Sequence, residues 1–275
     1  MLGKLMKYEF RATARYFLPV YGGLIVAALL FRLNNNVLDR IANDHIVSVL
    51  SGLLGTVYGM LVIGLLALTF IISVRRFSRN LLGSEGYLMF TLPAKTSDNI
   101  FGKMIPSAVW GIGSALIIIL SILLLIPEFR LIDLPRLIKE GLNYINIELG
   151  FWNTFIFIVE LLVMVIISVC SNLMSIYFCL SVGQLANEHK FLAAVGVYFG
   201  LSVFWQIIVS ILTAIILSAH PFEPLWLIRL GDWFANSPVS ALQVTFLVAI
   251  LFSILFFGLY YFFTHKLINK HLNLA

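Results

Sequence analysis

Polar side chains within the long apolar stretches of this 275-residue chain are the residues whose types could do chemistry. Glu160 is the most unusual, because it interrupts an otherwise uncharged run from residue 149 to residue 187. An ionised side chain inside a membrane is costly, so such residues usually face neighbouring helices or water. Glu160 therefore indicates a polar path or a polar helix contact within the membrane.

Two stripes of polar residues follow from helical geometry. On one helix, Glu160, Ser168, Ser171 and Ser175 fall within a sector of about 80°. On the next, the sector contains Ser202, Gln206 and Ser210. These stripes predict either a path for an amphipathic substrate or hydroxyl-mediated helix packing. Both interpretations stay open at this point.

The depth of Glu160 in the membrane predicts its partner. At about 1.5 Å per residue, Glu160 and Gln206 lie at similar depth on their two helices. We therefore expect a hydrogen bond from Glu160 to the neighbouring helix, with Gln206 as its partner or Arg32 as the alternative.

Enzyme chemistry has little support in the sequence. A membrane enzyme needs a clustered acid-base or metal site, and neither H-E-x-x-H, G-x-S-x-G nor a paired-aspartate motif occurs. The five histidines are scattered near the ends of the apolar runs: His45, His189, His220, His265 and His271. We predict no catalytic residues, no metal site and no cofactor in this chain.

The composition defines the class of protein. The chain is 61% hydrophobic and only 11% charged, with mean hydropathy +1.01, whereas soluble domains are about 25% charged. Six largely uncharged runs are centred near residues 25, 60, 115, 165, 205 and 252. Each can supply the roughly 20 residues of a membrane-spanning helix, and none alternates as a barrel strand does. The sequence predicts an all-α polytopic membrane protein with six transmembrane helices in one domain, residues 1–275.

Basic residues predict the orientation. With six spans, 12 of the 18 Lys and Arg residues fall on the side of both termini and 6 on the other. The positive-inside rule places both termini in the cytoplasm, so the net charge of +5 reflects topology rather than nucleic-acid binding. Residues 1–15 predict an interfacial helix with Leu2, Leu5, Met6 and Phe10 toward lipid, or else an ordinary basic flank.

A long mixed segment, residues 75–103, connects the second and third spans on the same side. Gly83-Ser84-Glu85-Gly86 breaks the helix, and an apolar and aromatic cluster then ends at Pro93. Apolar residues rimmed by charges are typical of a docking surface. The alternative is that the cluster dips back into the lipid interface.

The sequence "RRFSRNLLGSEGYLMFTLPAKTSDNIFGKMIPSAVW", residues 75–110, resembles the cytoplasmic loop of type-2 ATP-binding-cassette (ABC) exporter permeases of Gram-positive bacteria. "KLMKYEFRATAR", residues 4–15, resembles their N-terminal helix. In that family the loop carries a coupling helix that fits a groove on the ATPase subunit. The resemblance implies this role for Glu85, Gly86, Tyr87, Leu88, Met89, Phe90, Thr91, Leu92 and Pro93.

Further expectations follow from the same resemblance. The chain has no G-x-x-x-x-G-K-[ST] phosphate loop, so a separate ABC ATPase dimer would bind ATP and Mg. A second permease chain, identical or related, would complete the membrane unit. The implied function is a permease subunit that exports an amphipathic peptide, drug or lipid across a bacterial cell membrane. The alternatives are a peptide sensor or accessory subunit without transport and, with less support, an intramembrane enzyme.

Overall fold

The structure is a computed structural model that describes residues 2–37, 44–83, 95–126, 129–186, 189–218 and 225–271. Within these ranges the regular structure is helical. In chain order the elements are α1 (Leu2–Val37), α2 (Asp44–Phe77), a π-helical turn (Ser78–Leu82), α3 (Thr96–Leu125), a 3-10 turn (Leu131–Asp133), α4 (Leu134–Leu149), α5 (Phe151–Gly183), α6 (Lys190–Ser218), α7 (Leu225–Asn236) and α8 (Pro238–His271).

Six of these helices are long and apolar enough to cross a membrane, which confirms the number and approximate positions of the predicted spans. They are α1, α2, α3, α5, α6 and α8. In each of these helices, an apolar stretch of 18 residues has only between 6% and 22% of its residues buried inside the protein. Their outward surfaces carry large apolar side chains, as a lipid environment requires.

The first compact unit spans Met1–Asn143, and its three spanning helices form an up-down-up bundle. Phe17, Leu24 and Leu65 lie at its centre and are at most 1% exposed. Phe17 also stacks on Trp110, with ring centroids 4.8 Å apart. This packing fixes α1 against both α2 and α3.

Hydrogen bonds between polar side chains join the three helices of this unit. Within a lipid bilayer there is no hydrophobic driving force between helices, so hydrogen bonds of this kind contribute to their association. The pairs are Asn34 Nδ2 to Ser51 Oγ (2.8 Å), Tyr58 Oη with Ser121 Oγ (2.8 Å), Tyr21 Oη with Ser114 Oγ (2.9 Å), and Thr69 Oγ1 with Ser114 Oγ (3.0 Å). The polar groups named here therefore act in helix packing.

The N-terminal segment is helical, as predicted. Residues 2–15 belong to α1 and continue into the first span without a break. The Leu5 side chain lies against Gly102 of α3, and the ring of Phe10 is 6.3 Å from that of Trp110. These apolar residues pack on α3 rather than facing lipid, because α3 is close enough to cover them.

The second compact unit spans Tyr144–Ala275. Helices α5 and α8 run side by side in the same direction, because Phe157 contacts Phe246 and Phe178 contacts Phe263 further along. Helix α6 runs antiparallel to α5, and the C-terminal end of α5 packs against the beginning of α6. A Cβ on Gly183 would lie 2.6 Å from that of Ala194, so only glycine permits this approach.

Helices α4 and α7 were not predicted from the sequence. In α4 the apolar residues Leu134, Leu137, Ile138 and Ile145 recur at helical spacing, which is the pattern of an amphipathic helix. Gly150 follows α4 with φ of 81° and lets the chain turn into α5. The boundary between the two compact units falls inside α4, after Asn143.

Candidate functional site

The second unit contains a cavity of about 390 Å³ at which faces of three spanning helices meet. Each helix contributes residues at the spacing of one helical face. From α5 they are Ser168, Ser171, Asn172 and Ser175; from α6, Tyr198, Leu201, Ser202 and Trp205; and from α8, Ser253, Phe256 and Tyr260. None of these described lining residues is charged.

Serine hydroxyls give the cavity its polar character. Ser168 donates to the carbonyl of Val165 (3.0 Å), and Ser202 donates to the carbonyl of Tyr198 (2.8 Å). A hydroxyl that donates its proton to its own helix retains oxygen lone pairs that accept hydrogen bonds. The serine oxygens are therefore available as acceptors at the cavity wall, and the Asn172 amide adds both a donor and an acceptor.

Aromatic rings form the other part of the wall. The Trp205 and Phe256 rings meet edge to face with centroids 4.4 Å apart. Trp205 Nε1 donates to Tyr260 Oη at 3.2 Å, and Tyr260 also stacks on Phe178. These contacts lock the three rings, so the cavity has a fixed apolar surface beside its hydroxyl groups.

Four of the predicted path residues come together in this cavity: Ser168, Ser171, Ser175 and Ser202. Gln206 and Ser210 are exposed side chains of α6 outside the cavity lining. Glu160 is buried, with 7% of its surface exposed, and also lies outside the lining. The two sequence stripes thus meet over part of their length only.

The expected hydrogen bond between Glu160 and Gln206 is not formed. Among the described residues, Glu160 Oε2 has no hydrogen-bond partner, and Gln206 is exposed. Thr154 Oγ1 on α5 and Gln243 Nε2 on α8 are also buried without a partner. The prediction of Gln206 as the partner was wrong, because the cavity face of α6 carries Ser202 and Trp205. On the helical wheel Gln206 lies 40° beyond Ser202 and 100° from Trp205, outside that face.

Seven lining residues were not predicted from the sequence: Asn172, Tyr198, Leu201, Trp205, Ser253, Phe256 and Tyr260. The signal for those on α8 was present, because residues 253, 256 and 260 share one helical face. The predicted polar stripes lie on the fourth and fifth spans only. The sixth span supplies two of the four aromatic residues in the lining, Phe256 and Tyr260.

The predicted ATPase-binding residues 85–93 lie outside the described residues. The helices on either side are described and share an ion-pair cluster. Glu9 of α1 accepts from Arg76 of α2 (3.1 Å) and from Lys103 of α3 (2.6 Å). Glu9 thus ties together the end of the second span and the beginning of the third.

Side chains of metal-ligating types do not cluster in the described part of the chain. There, no three His, Cys, Asp or Glu side chains lie close enough together to hold a metal ion. Arg136 and Glu140 form an exposed ion pair on α4 (2.8 Å), and the Glu140 carboxylate raises the pKa of Arg136. This pair is an ordinary neighbour contact on one helix surface.

Fold and site together define an all-α polytopic membrane protein with a polar and aromatic cavity among its spanning helices. Comparisons with protein-family models, with curated proteins and with solved structures find no match to this chain.

Proposed function

We infer that this chain is the membrane-spanning permease subunit of an ABC exporter that moves an amphipathic substrate. The cavity of the second unit is the observation that carries the proposal. It lies among three helices that are each long enough to span a membrane, and its wall is partly hydroxyl and partly aromatic. Pockets for small molecules combine apolar walls with a few placed polar groups in this way.

The chemistry of the cavity suits a substrate with an apolar body and hydrogen-bond donors. The rings of Trp205, Phe256 and Tyr260 offer apolar faces. The serine oxygens accept hydrogen bonds, and tryptophan and tyrosine rings also attract cations. A peptide or drug with an apolar body and amino groups can contact the aromatic rings and donate hydrogen bonds to the serine oxygens. An anion would find no positively charged side chain among the described lining residues.

A contrast between the two units supports a binding role for these serines. In the first unit, Ser121 donates to the carbonyl of Ile118 in its own helix, and its oxygen also forms a hydrogen bond with Tyr58 of α2. In the second, the hydroxyls of Ser168, Ser175 and Ser202 also donate to carbonyls of their own helices, but they form no hydrogen bond to another helix among the described residues. Hydroxyls used for packing would be expected to cross between helices, so these are better placed to meet a substrate.

The energy source would be a separate ABC ATPase dimer that binds ATP and Mg. The chain itself has no phosphate-loop motif, and residues 85–93 resemble the coupling segment that such an ATPase binds. Under this proposal both termini face the cytoplasm of a bacterial cell. A second permease chain, identical or related, completes the membrane unit.

Vesicle transport tests this function. Inverted membrane vesicles from cells that produce the chain and its ATPase would be given a panel of labelled amphipathic peptides and dyes. We expect ATP-dependent accumulation of at least one compound. Ser202→Phe, which fills the cavity, should abolish that accumulation.

Ser210→Phe is the matched control, because Ser210 is an exposed residue of the same helix outside the cavity. It should leave accumulation unchanged. Binding that depends on Ser202 without ATP-dependent accumulation would indicate a sensor or accessory subunit instead. Equal loss in both variants would show that the cavity is not the substrate path.

A further inference from the structure

A groove of about 560 Å³ lies between α1 and α2 in the first unit, away from the cavity described above. One part of its lining is apolar and formed by Leu68, Ile71 and Ile72, with the small residues Gly64 and Ala67 beside them. The other part is basic. It is formed by Arg75, Arg76, Arg79 and Asn80, with Tyr16 contributed by α1.

The apolar wall has the length of one lipid chain. From Gly64 to Arg75 the helix rises about 16 Å, and half of a hydrocarbon core of about 30 Å is about 15 Å. Gly64 therefore lies near the middle of the membrane when Arg75 lies at its surface. Apart from its chain neighbours and the adjacent backbone of α2, no heavy atom lies within 4 Å of a Cβ placed on Gly64, so the groove is open at that level.

The described lining at the mouth of the groove is basic. Arg75 and Arg79 are exposed and lie one helical turn apart on one face of the helix. Arg76 and Lys103 share the single carboxylate of Glu9, so these three groups leave one net positive charge. Among the described residues, the lining at the mouth thus contains three arginine side chains, those of Arg75, Arg76 and Arg79.

The backbone at the mouth is also unusual. Residues Ser78–Leu82 form a π-helical turn directly after α2, and this turn contains Arg79 and Asn80 of the groove lining. Such turns are rare and occur frequently at functional sites. Here the turn places the two polar side chains at the membrane surface beside Arg75.

We propose that this groove binds one anionic phospholipid, with its phosphate at Arg75 and Arg79 and one acyl chain along α2 as far as Gly64. Basic pockets at the ends of spanning helices favour anionic headgroups. Tyr16 adds an amphipathic ring at the level of the headgroup, where such rings are enriched. The site is independent of whether the chain transports a substrate.

Native mass spectrometry of the detergent-purified full chain tests this proposal. Phosphatidylglycerol and phosphatidylcholine with identical acyl chains would be titrated against it, and bound lipid would be counted. We expect one phosphatidylglycerol to bind in preference to phosphatidylcholine. Each cation near an anionic surface contributes roughly fivefold in affinity, so Arg75→Gln with Arg79→Gln should weaken that binding by about 30-fold.

Two controls distinguish an effect at the groove from the effect of losing positive charge elsewhere and from the effect of a large side chain elsewhere. Lys7→Gln with Arg11→Gln removes two exposed positive charges of α1 outside the groove and should leave the preference intact. Gly64→Phe should block the acyl-chain path and release either lipid, while Gly52→Phe, at an exposed position of α2 outside the groove, should not. Each variant is compared only if it elutes as a single species.

Inorganic phosphate distinguishes a lipid site from a simple anion site. At millimolar concentration it should fail to displace phosphatidylglycerol, because it lacks the acyl chain. Full displacement would show an anion site and overturn the lipid proposal. Equal binding of the two lipids, or unchanged binding in both the arginine and Gly64 variants, would also overturn it.

Discussion

As a single side chain, Glu9 connects three helices. Its carboxylate accepts hydrogen bonds from Arg76 and Lys103, and the Lys103 side chain is only 2% exposed. Removal of one partner from a buried ion pair is strongly destabilising, because the other charge loses its compensation. The ordinary basic sequence around Glu9 gave no sign of this role.

Glu9→Gln should therefore lower the free energy of unfolding by roughly 3 kcal/mol. The measurement is reversible unfolding of the purified chain in mixed micelles. Lys103→Met added to Glu9→Gln should recover most of the loss. As a control, Glu140→Gln disrupts only the exposed pair with Arg136 and should change stability little. A silent Glu9→Gln would show that the cluster does not hold the helices.

Glu160 presents the opposite case, since it is buried and its Oε2 has no partner among the described residues. A buried polar atom without a hydrogen bond costs about 1–3 kcal/mol. Glu160→Met should therefore raise the free energy of unfolding by about 1–2 kcal/mol. Glu160→Gln should leave it nearly unchanged, because the amide would be equally without a partner.

Transport measured on the same two variants distinguishes a role of Glu160 in transport from a role in stability. If Glu160 serves transport, both variants lose activity while stability is kept or increased. Destabilisation by Glu160→Met would contradict the structure, since it would mean that the carboxyl group has a favourable partner.

Among the helices of the first unit, polar pairs contribute to packing. Tyr58 Oη and Ser121 Oγ join α2 to α3 at 2.8 Å. Hydrogen bonds of this kind in membrane proteins average about 0.6 kcal/mol, with a maximum of about 1.7 kcal/mol. A double-mutant cycle of Tyr58→Phe and Ser121→Ala should give a coupling energy in that range. A coupling energy near zero would show that the bond adds nothing to packing.

The spanning helices could be predicted from sequence because long apolar runs have few alternatives in a membrane. The cavity could be predicted only in part. A helical wheel shows that Ser202 and Ser210 share a side, but they are about 12 Å apart along the helix. Which of them reaches a cavity depends on where α5 and α8 cross α6, and no pattern within α6 contains that information.

For the chain as a whole, the orientation in the membrane stays a prediction from the 12 to 6 division of basic residues. Phe90→Cys and Asp133→Cys test it in a background with Cys170→Ala and Cys179→Ala. The cysteine at position 90 should react only with reagents that enter the cytoplasm. That at position 133 should react with impermeant external reagents. Reaction of both from one side would contradict the six-span topology.

The proposal that this chain is a permease driven by a separate ATPase subunit is tested most directly by measuring ATP hydrolysis. The tagged chain would be purified with its associated subunits from the membranes of its source cells and placed in lipid nanodiscs. We predict an ABC ATPase in the complex, with MgATP hydrolysis that depends on this chain.

Tyr87→Ala with Phe90→Ala should reduce hydrolysis to the rate of the ATPase alone, because buried aromatic anchors can each contribute roughly 2 kcal/mol to an interface. Leu131→Ala with Ile132→Ala, at two exposed apolar residues outside that segment, should leave the rate unchanged. Absence of a nucleotide-hydrolysing subunit, or an unchanged rate in the Tyr87 and Phe90 variant, would contradict the account.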